Sequence, residues 1–286
     1  GPWVDGVLDL TSTAASGRRL IRSKGAHLIV PPIARSGAIA VTGRGTHVFV
    51  IPWRGVSLIG TTDTAYGGEP DEVRVEEADI EALLAAVRGG LPSVRVDRDQ
   101  VLHAYAALRP LVGKEGAPVA ETYRASRRAE IIDHGQGVDG EGLISVLGGK
   151  WTTSRLIAER AVDLIAARLG QRTRHCETHV ARLPYAPAVP FAFFATEPSG
   201  PFARVPRPIY REWRHSYGGR MDRVLDAGKE AIEPLAPGLT TTPAEIVHAV
   251  RHEMASRLAD VVMRRTALGA LGRPPPAALS RAAALM

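Results

Sequence analysis

Cysteine, lysine and aromatic residues are all scarce in this chain of 286 residues. The single cysteine, Cys176, cannot form a disulfide within the chain, so the sequence suits a reducing compartment. Lysine occurs only at positions 24, 114, 150 and 229, so the net charge of +6 comes almost entirely from scattered arginines. Aromatic residues make up 5% of the chain. They are not interleaved with the arginines, whereas binding to single-stranded nucleic acid requires such interleaving. We therefore expect no nucleic-acid partner.

Long apolar runs are absent as well. The most apolar stretch, Leu183–Thr196, falls short of the roughly 20 residues of a membrane helix and is interrupted by prolines. No signal peptide or initiator methionine opens the chain, so we expect a fragment or a processed piece. With 45% apolar and 23% charged residues, the composition excludes global disorder and supports a packed core.

The first part of the chain is predicted to mix strands and helices. Residues 26–30 form one strand, and residues 47–60 form a hairpin around Arg54-Gly55. A helix begins near the acidic residues at 76–79 and ends at Gly89-Gly90, with apolar residues at helical spacing. A further strand at residues 143–147 leads into Gly148-Gly149-Lys150 and a helix over residues 152–169.

Proline marks the predicted domain boundary. Seven prolines lie between residues 182 and 208, so we interpret this stretch as a linker. A long helix is predicted over residues 244–266, and the segment from Pro274 to Met286 is expected to fray. The predicted organisation is a substrate-binding part over residues 1–181, the linker over 182–208 and a helical domain over 209–286.

A glycine pattern of the dinucleotide-binding type, G-x-G-x-x-G, spans Gly135–Gly140. Such a fingerprint must follow a strand and open a helix. Here the pattern precedes the apolar strand at Leu143, so we interpret it as a turn between strands. The chain itself then supplies no phosphate loop of the Rossmann type.

The segment around Gly148-Gly149-Lys150 is the strongest candidate for chemistry. A strand, two glycines and a helix start leave backbone N–H groups free beside a positive dipole end, which favours an anion or an electron-rich ring. Thr152 or Thr153 can cap that helix start, and Lys150 adds a charge. The alternative is an ordinary turn with a solvent-exposed lysine.

Two further residues are candidates on local grounds. Arg109 lies inside the apolar run Ala106–Val112, so its side chain is predicted to cross an apolar wall toward a ligand or a structural ion-pair partner. His27 lies at the predicted start of a strand, where it is either a general base or a structural histidine. His175, Cys176 and His179 lack a matching second pair of ligands, so we predict no metal site.

The motifs occur together in one order. They are Gly1–Asp5, Lys24–Pro31, Phe49–Trp53, Leu58–Asp63, Leu108–Leu111, Leu143–Arg155, Glu253–Ala255 and Arg264–Thr266. Over about residues 1–266 the sequence resembles the FAD-dependent, quinone-linked glycerol-3-phosphate dehydrogenases. Trp151 departs from the pattern, because many relatives carry leucine there.

The resemblance implies both a fold class and a set of roles. The fold would be mixed α/β and α+β: an antiparallel substrate-binding sheet and the C-terminal part of an FAD-binding fold of the D-amino-acid-oxidase and glutathione-reductase type, followed by an all-α domain. The family's N-terminal FAD-binding unit is not in this sequence, so we expect the chain alone to be inactive and not to retain FAD. Residues implied in FAD contact are Gly1, Gly148, Gly149, Lys150, Thr152 and Thr153.

The resemblance also implies the substrate chemistry. Arg109, Arg127, Lys150 and Thr62 would bind glycerol 3-phosphate, Asp63 would line the site, and His27 would take the C2 hydroxyl proton. The reaction would yield dihydroxyacetone phosphate, with electrons passing from FAD to a quinone. We expect a cytoplasmic protein, with peripheral contact to the inner face of the plasma membrane, and leave a homodimer open. The alternatives are a non-catalytic interaction module and a different flavin oxidoreductase of the same superfamily.

Overall fold

The computed structural model describes residues 1–11, 20–43, 46–113, 128–135, 142–172, 174–184, 186, 196–228 and 231–286. These residues form two compact units, Gly1–Val180 and Ala181–Met286, which we describe separately. The division lies one residue before the predicted end of the first domain at residue 181. The linker role of residues 182–208 stays a prediction.

An antiparallel sheet of six strands forms the centre of the first unit. The strands are β1 (Leu20–Val30), β2 (Ile39–Gly43), β3 (Thr46–Trp53), β4 (Val56–Gly60), β5 (Thr64–Tyr66) and β6 (His103–Val112). Their order is β2-β3-β4-β1-β5, and β6 pairs with β1. Strand β1 is central, because β4 and β5 pair with successive parts of it and β6 pairs with it from Leu20 to Ile29.

The predicted hairpin is confirmed as β3 and β4. Arg54 and Gly55, with φ values of 49° and 81°, provide the left-handed turn that matches the twist of paired strands. Strand β1 begins six residues before the predicted start at Ala26, because pairing with β5 and β6 extends it through the polar residues Arg22, Ser23 and Lys24. His27 therefore lies within the strand and not at its start, which corrects the sequence-based placement.

Helix α2 (Glu77–Gly90) covers one face of this sheet and confirms the helix predicted from residue 76. A short helix, α1 (Val4–Leu8), precedes β1. Apolar side chains of α2 pack against alternate residues of β1 in one buried cluster; these are Ile80, Leu83, Leu84 and Val87 of the helix and Ala26, Leu28 and Val30 of the strand. Because side chains alternate along a strand, Ser23, Gly25 and His27 belong to the opposite face.

A two-stranded antiparallel hairpin follows, made of β7 (Glu130–Asp133) and β8 (Ile144–Leu147). A single 3₁₀ turn (Trp151–Thr153) and helix α3 (Ser154–Arg168) come next, close to their predicted positions. The glycine pattern at residues 135–140 lies between β7 and β8, although residues 136–141 are outside the described part. Gly135 is described, and its N–H donates to Asp133 Oδ1 at 3.0 Å.

The second unit is helical. It contains α4 (Arg207–Tyr217), α5 (Met221–Gly228), α6 (Pro243–His252), α7 (Leu258–Asp260), which continues into a π-helical turn (Val261–Arg265), and α8 (Pro276–Leu285). Its polar centre is Glu245 of α6, whose carboxylate accepts hydrogen bonds from the backbone N–H and hydroxyl of Thr242 and from the Tyr217 hydroxyl. These bonds connect α4 to the start of α6.

Two predictions for this unit are wrong. The single helix expected over residues 244–266 is broken after His252, where Met254 has a φ of 61° and the Asp260 carboxylate accepts from the N–H groups of Ser256 and Arg257 to start a new helix. The segment expected to fray instead forms α8, because Ala278 and Ala282 bury against the core of this unit.

In the part of the chain that the structure describes, no helix combines the length and apolarity needed to cross a bilayer. Within the same residues, no group of three or more His, Cys, Asp and Glu side chains is arranged to hold a metal ion.

Candidate active site

Arg109 of β6 extends over the sheet face opposite α2 toward the segment between β4 and β5. Its Nη1 donates to Ser23 Oγ at 3.1 Å, and its Nη2 donates to Thr61 Oγ1 at 2.9 Å and to the Thr62 carbonyl oxygen at 3.0 Å. Asp63 Oδ1 lies 3.8 Å from Nη1 and also accepts a short hydrogen bond from Ser23 Oγ. The guanidinium is held among polar groups, so the predicted apolar wall is wrong and the ion-pair partner is Asp63.

A glycine makes room for this arrangement. A Cβ atom on Gly25 would lie 2.5 Å from Arg109 Nη2 and 2.6 Å from Thr61 Oγ1. Such distances are well inside van der Waals contact, so any larger residue here would displace the guanidinium. The Lys24-Gly25-Ala26-His27 segment thus provides, in addition to the histidine, the space above Gly25 that the Arg109 side chain occupies.

A cavity of about 790 Å³ adjoins the Arg109 cluster. It is lined by Arg109, by the loop residues Thr61–Thr64 and by residues of β3, α2 and the turn before α2, which include the acidic residues Glu76 and Asp79. The lining residues are His47, Val48, Phe49, Thr61, Thr62, Asp63, Thr64, Glu76, Ala78, Asp79, Ala82, Leu83, Ala86 and Arg109. A volume of this size is within the range of small-molecule sites, and a cationic fork beside hydroxyl groups suits a phosphorylated polyol.

His27 lies two residues along β1 from Gly25, on the same face as the Arg109 cluster. Its imidazole stacks on Tyr105 of β6, with ring centroids 5.2 Å apart and planes within 8° of parallel. Burial and the nearby positive charge of Arg109 lower the pKa of His27 below its ordinary value of 6.5. The imidazole is therefore neutral at physiological pH, which is the form able to accept a proton.

Lys24 lies on the opposite face, beneath α2. Its Nζ lies 2.7 Å from Glu76 Oε2 and 2.8 Å from Asp79 Oδ2, and both Lys24 and Asp79 are buried. Burial alone would lower the pKa of Lys24, but its hydrogen bonds to Asp79 and Glu76 outweigh burial and raise the pKa. This buried ion pair attaches the start of α2 to β1, directly behind Ser23 and Gly25.

Gly148 and Gly149 have φ values of 64° and 88°. A Cβ on Gly148 would lie 2.8 Å from the Arg128 carbonyl oxygen, and one on Gly149 would lie 2.7 Å from Ile157 Cδ1. Both positions thus favour glycine for conformation and for space. Thr153 Oγ1 donates to the Lys150 carbonyl oxygen at 3.0 Å, and the Lys150 side chain is exposed to solvent.

The predicted site residues fall into separate groups. Thr62 and Arg109 line the cavity, whereas His27 does not line it and shares only the sheet face of Arg109. Gly148, Gly149, Lys150, Thr152 and Thr153 form the turn before α3 and do not line that cavity. Gly1 is exposed, and its carbonyl oxygen accepts from the Val4 N–H. Arg127 lies outside the described residues.

Sequence reasoning missed Ser23, Thr61 and Tyr105. Tyr105 and Arg109 are four positions apart along β6, and the strand period of two places both on one face. That alternation was a usable signal for Tyr105. Ser23 and Thr61 carried no signal of their own, because their roles depend on pairing between strands distant in sequence.

Comparisons with known proteins agree with this architecture. Residues 1–164 match the family model described as FAD dependent oxidoreductase, and residues 144–286 match the C-terminal domain of alpha-glycerophosphate oxidase. A solved structure of the glycerol-3-phosphate dehydrogenase from Bacillus halodurans, complexed with FAD, superposes with a TM-score of 0.71 at 29% identity. That match covers 94% of this chain and 52% of the other.

Two curated relatives have the same level of similarity. A glycerol-3-phosphate dehydrogenase from Synechocystis is 32% identical over 94% of this chain and 50% of its own length. A D-erythritol 1-phosphate dehydrogenase from Brucella abortus is 32% identical over 93% of this chain and 53% of its own length. The chain thus spans about half the length of the curated relatives it matches.

These matches confirm the predicted fold class and the resemblance from which it came. An antiparallel sheet within an FAD-dependent oxidoreductase fold precedes a helical C-terminal domain in the same order as the two family models. The chain belongs to the FAD dependent oxidoreductase family and ends in the C-terminal domain found in alpha-glycerophosphate oxidase.

Proposed function

We propose that this chain supplies the substrate-binding part of an enzyme that oxidises sn-glycerol 3-phosphate to dihydroxyacetone phosphate, with FAD as the hydride acceptor. The observation that carries the proposal is that the Arg109 guanidinium lines a cavity together with Thr61, Thr62 and Asp63. Both Nη atoms face protein oxygens in this structure, so the phosphate would replace some of these acceptors and then bind the planar fork through two oxygens, which a point charge cannot do. The names of the relatives support the same substrate.

Each candidate residue has a distinct role in this proposal. Arg109, Lys150 and Arg127 bind the phosphate group or the C2 oxygen, and Thr62 lines the site. His27 accepts the proton of the C2 hydroxyl as the hydride leaves C2, because its lowered pKa keeps the imidazole neutral. Asp63 balances the Arg109 charge, so the guanidinium keeps its orientation before substrate binds.

The residues present fit a flavin. Two successive glycines with positive φ, followed by a helix start, form the kind of turn that can present backbone N–H groups to a ligand and allow close approach of a planar ring. Gly148, Gly149, Lys150, Thr152 and Thr153 would hold the ring, and Gly1 would contact the adenosine part. FAD, when bound, supplies the two-electron acceptor for the hydride from C2.

The proposal extends to the electron acceptor and the location. Electrons leave the enzyme to a quinone, which places the protein at the inner face of the plasma membrane as a peripheral, otherwise cytoplasmic protein. These points rest on the family resemblance given above and not on a feature of the described residues.

The substrate is tested by flavin reduction. The protein, purified with its natural flanking sequence, is mixed anaerobically with glycerol 3-phosphate, D-erythritol 1-phosphate or glycerol, and the visible flavin absorbance is followed by stopped flow. We expect glycerol 3-phosphate to bleach the flavin fastest and glycerol not to react. Faster reduction by D-erythritol 1-phosphate would assign the second substrate, which the Brucella abortus relative favours.

Two further measurements address the remaining alternatives. Full-length protein that retains no flavin would support a non-catalytic module instead. Reduction by an amino acid and not by either phosphate would indicate another flavin oxidoreductase. Stoichiometric FAD on the 286-residue chain alone would overturn the expectation that this chain does not retain the cofactor.

A further inference from the structure

Tyr105 and His27 stand directly opposite each other in the pairing of β6 with β1. Residues opposite each other in an antiparallel pair share a face and bring their side chains together. Their rings lie within 8° of parallel at a centroid distance of 5.2 Å. The flat face of the imidazole is therefore covered by an aromatic ring that the proposed reaction does not otherwise use.

Gly60 occupies the position opposite His27 in the neighbouring strand β4. A Cβ atom there would lie 2.1 Å from His27 Cδ2 and 2.6 Å from Nε2. The imidazole thus packs closely over bare backbone on the β4 side and against the Tyr105 ring on the β6 side. Gly60, His27 and Tyr105 form one row across three strands, which we call the histidine row.

Hydrogen bonding does not fix the orientation of this imidazole within the described residues. Nδ1 of His27 is buried there without a hydrogen-bond partner. A histidine that acts as a base is ordinarily oriented by a hydrogen bond from Nδ1 to a carbonyl or carboxylate oxygen. Since Nδ1 is inaccessible, Nε2 is the ring nitrogen that can meet a substrate, and packing must set its direction.

We propose that Tyr105 is a positioning residue, whose ring holds the His27 imidazole so that Nε2 faces the substrate. The proposal rests on the proposed function only in taking His27 as the base. The operative property of Tyr105 is its aromatic face, because no described contact of its hydroxyl is needed to stack the rings. Tyr105 also excludes water from one side of the imidazole.

The test compares Tyr105→Phe with Tyr105→Leu. Phenylalanine keeps the ring stack, whereas leucine keeps an apolar strand residue but removes the aromatic face. The His27 ring resonances and pKa are measured by NMR on the 286-residue chain, so this readout requires neither FAD nor turnover. Thermal melting of each variant confirms that it is folded.

We expect Tyr105→Phe to leave the His27 pKa within about 0.2 units of the wild-type value, because the shielding of the imidazole by a ring is unchanged. Tyr105→Leu should shift the His27 resonances and raise its pKa toward the ordinary value, because water then reaches the ring. In the holoenzyme, Tyr105→Leu should lower kcat by about 10- to 100-fold with little change in KM, since the misplaced base acts only in the chemical step.

Unchanged His27 resonances in Tyr105→Leu would overturn the proposal, and so would a Tyr105→Phe variant as impaired as the leucine variant. If Tyr105→Leu does not fold, Tyr105→Val replaces it in the same comparison, because valine suits a strand and also removes the aromatic face. His27→Gln separates the hypothesis that His27 is the base from the hypothesis that Tyr105 orients the His27 ring. Full activity in that variant contradicts the proposed base, whereas the NMR comparison still decides whether Tyr105 orients the ring.

Discussion

Lys24 and Asp79 form an ion pair of 2.8 Å in which both side chains are buried. One partner lies on the central strand and the other in the first turn of α2, so the pair joins the two layers of the first unit. Breaking one side of a buried pair leaves a charge without compensation, which usually costs more than the pair contributes. The exposed Glu76 contacts the same ammonium group at 2.7 Å and moderates this effect.

We expect Asp79→Asn to lower the free energy of unfolding by about 3 kcal/mol, because Lys24 then stays buried beside a neutral amide. The double variant Lys24→Met/Asp79→Leu should lose less than this single variant. Urea unfolding of both proteins measures the difference. If the double variant were less stable than Asp79→Asn, the loss of the ion pair itself, and not the uncompensated charge of Lys24, would be the main cause of the lower stability.

The same pair predicts a pH dependence. The pKa of Lys24 is raised above its ordinary value of 10.5 in the folded protein, so its contribution to stability is complete below that pH. The contribution is lost as the pH rises through the folded pKa. The melting temperature of the wild type should therefore decline above about pH 10.5 more steeply than that of Lys24→Met.

Arg109→Lys should not be conservative. Lysine keeps the charge but cannot bond Ser23, Thr61 and the Thr62 carbonyl at once, so we expect kcat/KM to fall by about 10- to 100-fold. The measurement is steady-state turnover of glycerol 3-phosphate by the holoenzyme, together with the melting temperature. A lower melting temperature with an unchanged KM would make Arg109 a structural residue only.

Lys150→Ala should raise the KM for glycerol 3-phosphate and slow flavin reduction by about 10- to 100-fold, since one charged contact is removed. The Lys150 side chain is exposed, so its removal should leave the melting temperature unchanged, in contrast to Arg109. Stopped-flow reduction at the wild-type rate would exclude Lys150 as a substrate contact.

Gly25→Ala tests the space above Gly25 that Arg109 occupies. The added methyl group would lie 2.5 Å from Nη2, so we expect a loss of about 1 to 3 kcal/mol in unfolding free energy and a raised KM. Gly37→Ala is the matched control, because a Cβ there meets nothing within 4 Å. Equal effects of the two substitutions would contradict a steric role for Gly25.

Glu245→Gln tests the centre of the second unit. Burial raises the pKa of Glu245 above its ordinary value of 4.5, despite hydrogen bonds from Thr242 and Tyr217 that act in the opposite direction. A carboxyl with a raised folded pKa stabilises the fold fully below pH 4.5 and loses that contribution as the pH rises through the folded pKa. As the pH rises from about 4.5 through the folded pKa, the unfolding free energy of the wild type should therefore fall relative to that of the variant, by at most about 1.4 kcal/mol per pH unit.

The exposed Glu233 supplies the control for that experiment. Glu233→Gln should retain the wild-type slope of unfolding free energy against pH. A Glu245→Gln variant that also retains the wild-type slope would show that another group of the second unit controls the pH dependence.

Local chemistry in the sequence was sufficient to predict the hairpin of β3 and β4 and the helix α2. Turn residues at Arg54-Gly55 and the spacing of Ile80, Leu83 and Leu84 act within a few residues of one another. The break at Met254 was not predictable in the same way. Its apolar neighbours continue the helical spacing, and the new start depends on Asp260 accepting from Ser256 and Arg257.

The sequence was sufficient to predict several residues of the candidate site but not which residues contact one another there. The sequence alone indicates Arg109, His27 and Thr62, and their roles in binding and catalysis stay predictions. The partners of Arg109 come from β1 and from the segment after β4, which are 86 and 48 residues away in sequence. Strand register decides such contacts, and a single sequence does not display register between distant strands.

The alternation of side chains between the two faces of β1 determines how this strand tolerates inserted residues. Ser23, Gly25 and His27 face the candidate site, whereas Lys24, Ala26 and Leu28 face α2. Inserting one residue between Leu20 and Ser23 would have one of two effects. Either β1 keeps its pairing register and forms a β-bulge at the insertion, or its register shifts by one residue and every side chain moves to the other face of the sheet. A slip would place lysine and leucine on the face that carries the Arg109 cluster and bury histidine and serine beneath the helix. Libraries with single-residue insertions should therefore lose function along β1 more completely than libraries of point substitutions, whereas the loop around Gly37 should accept both.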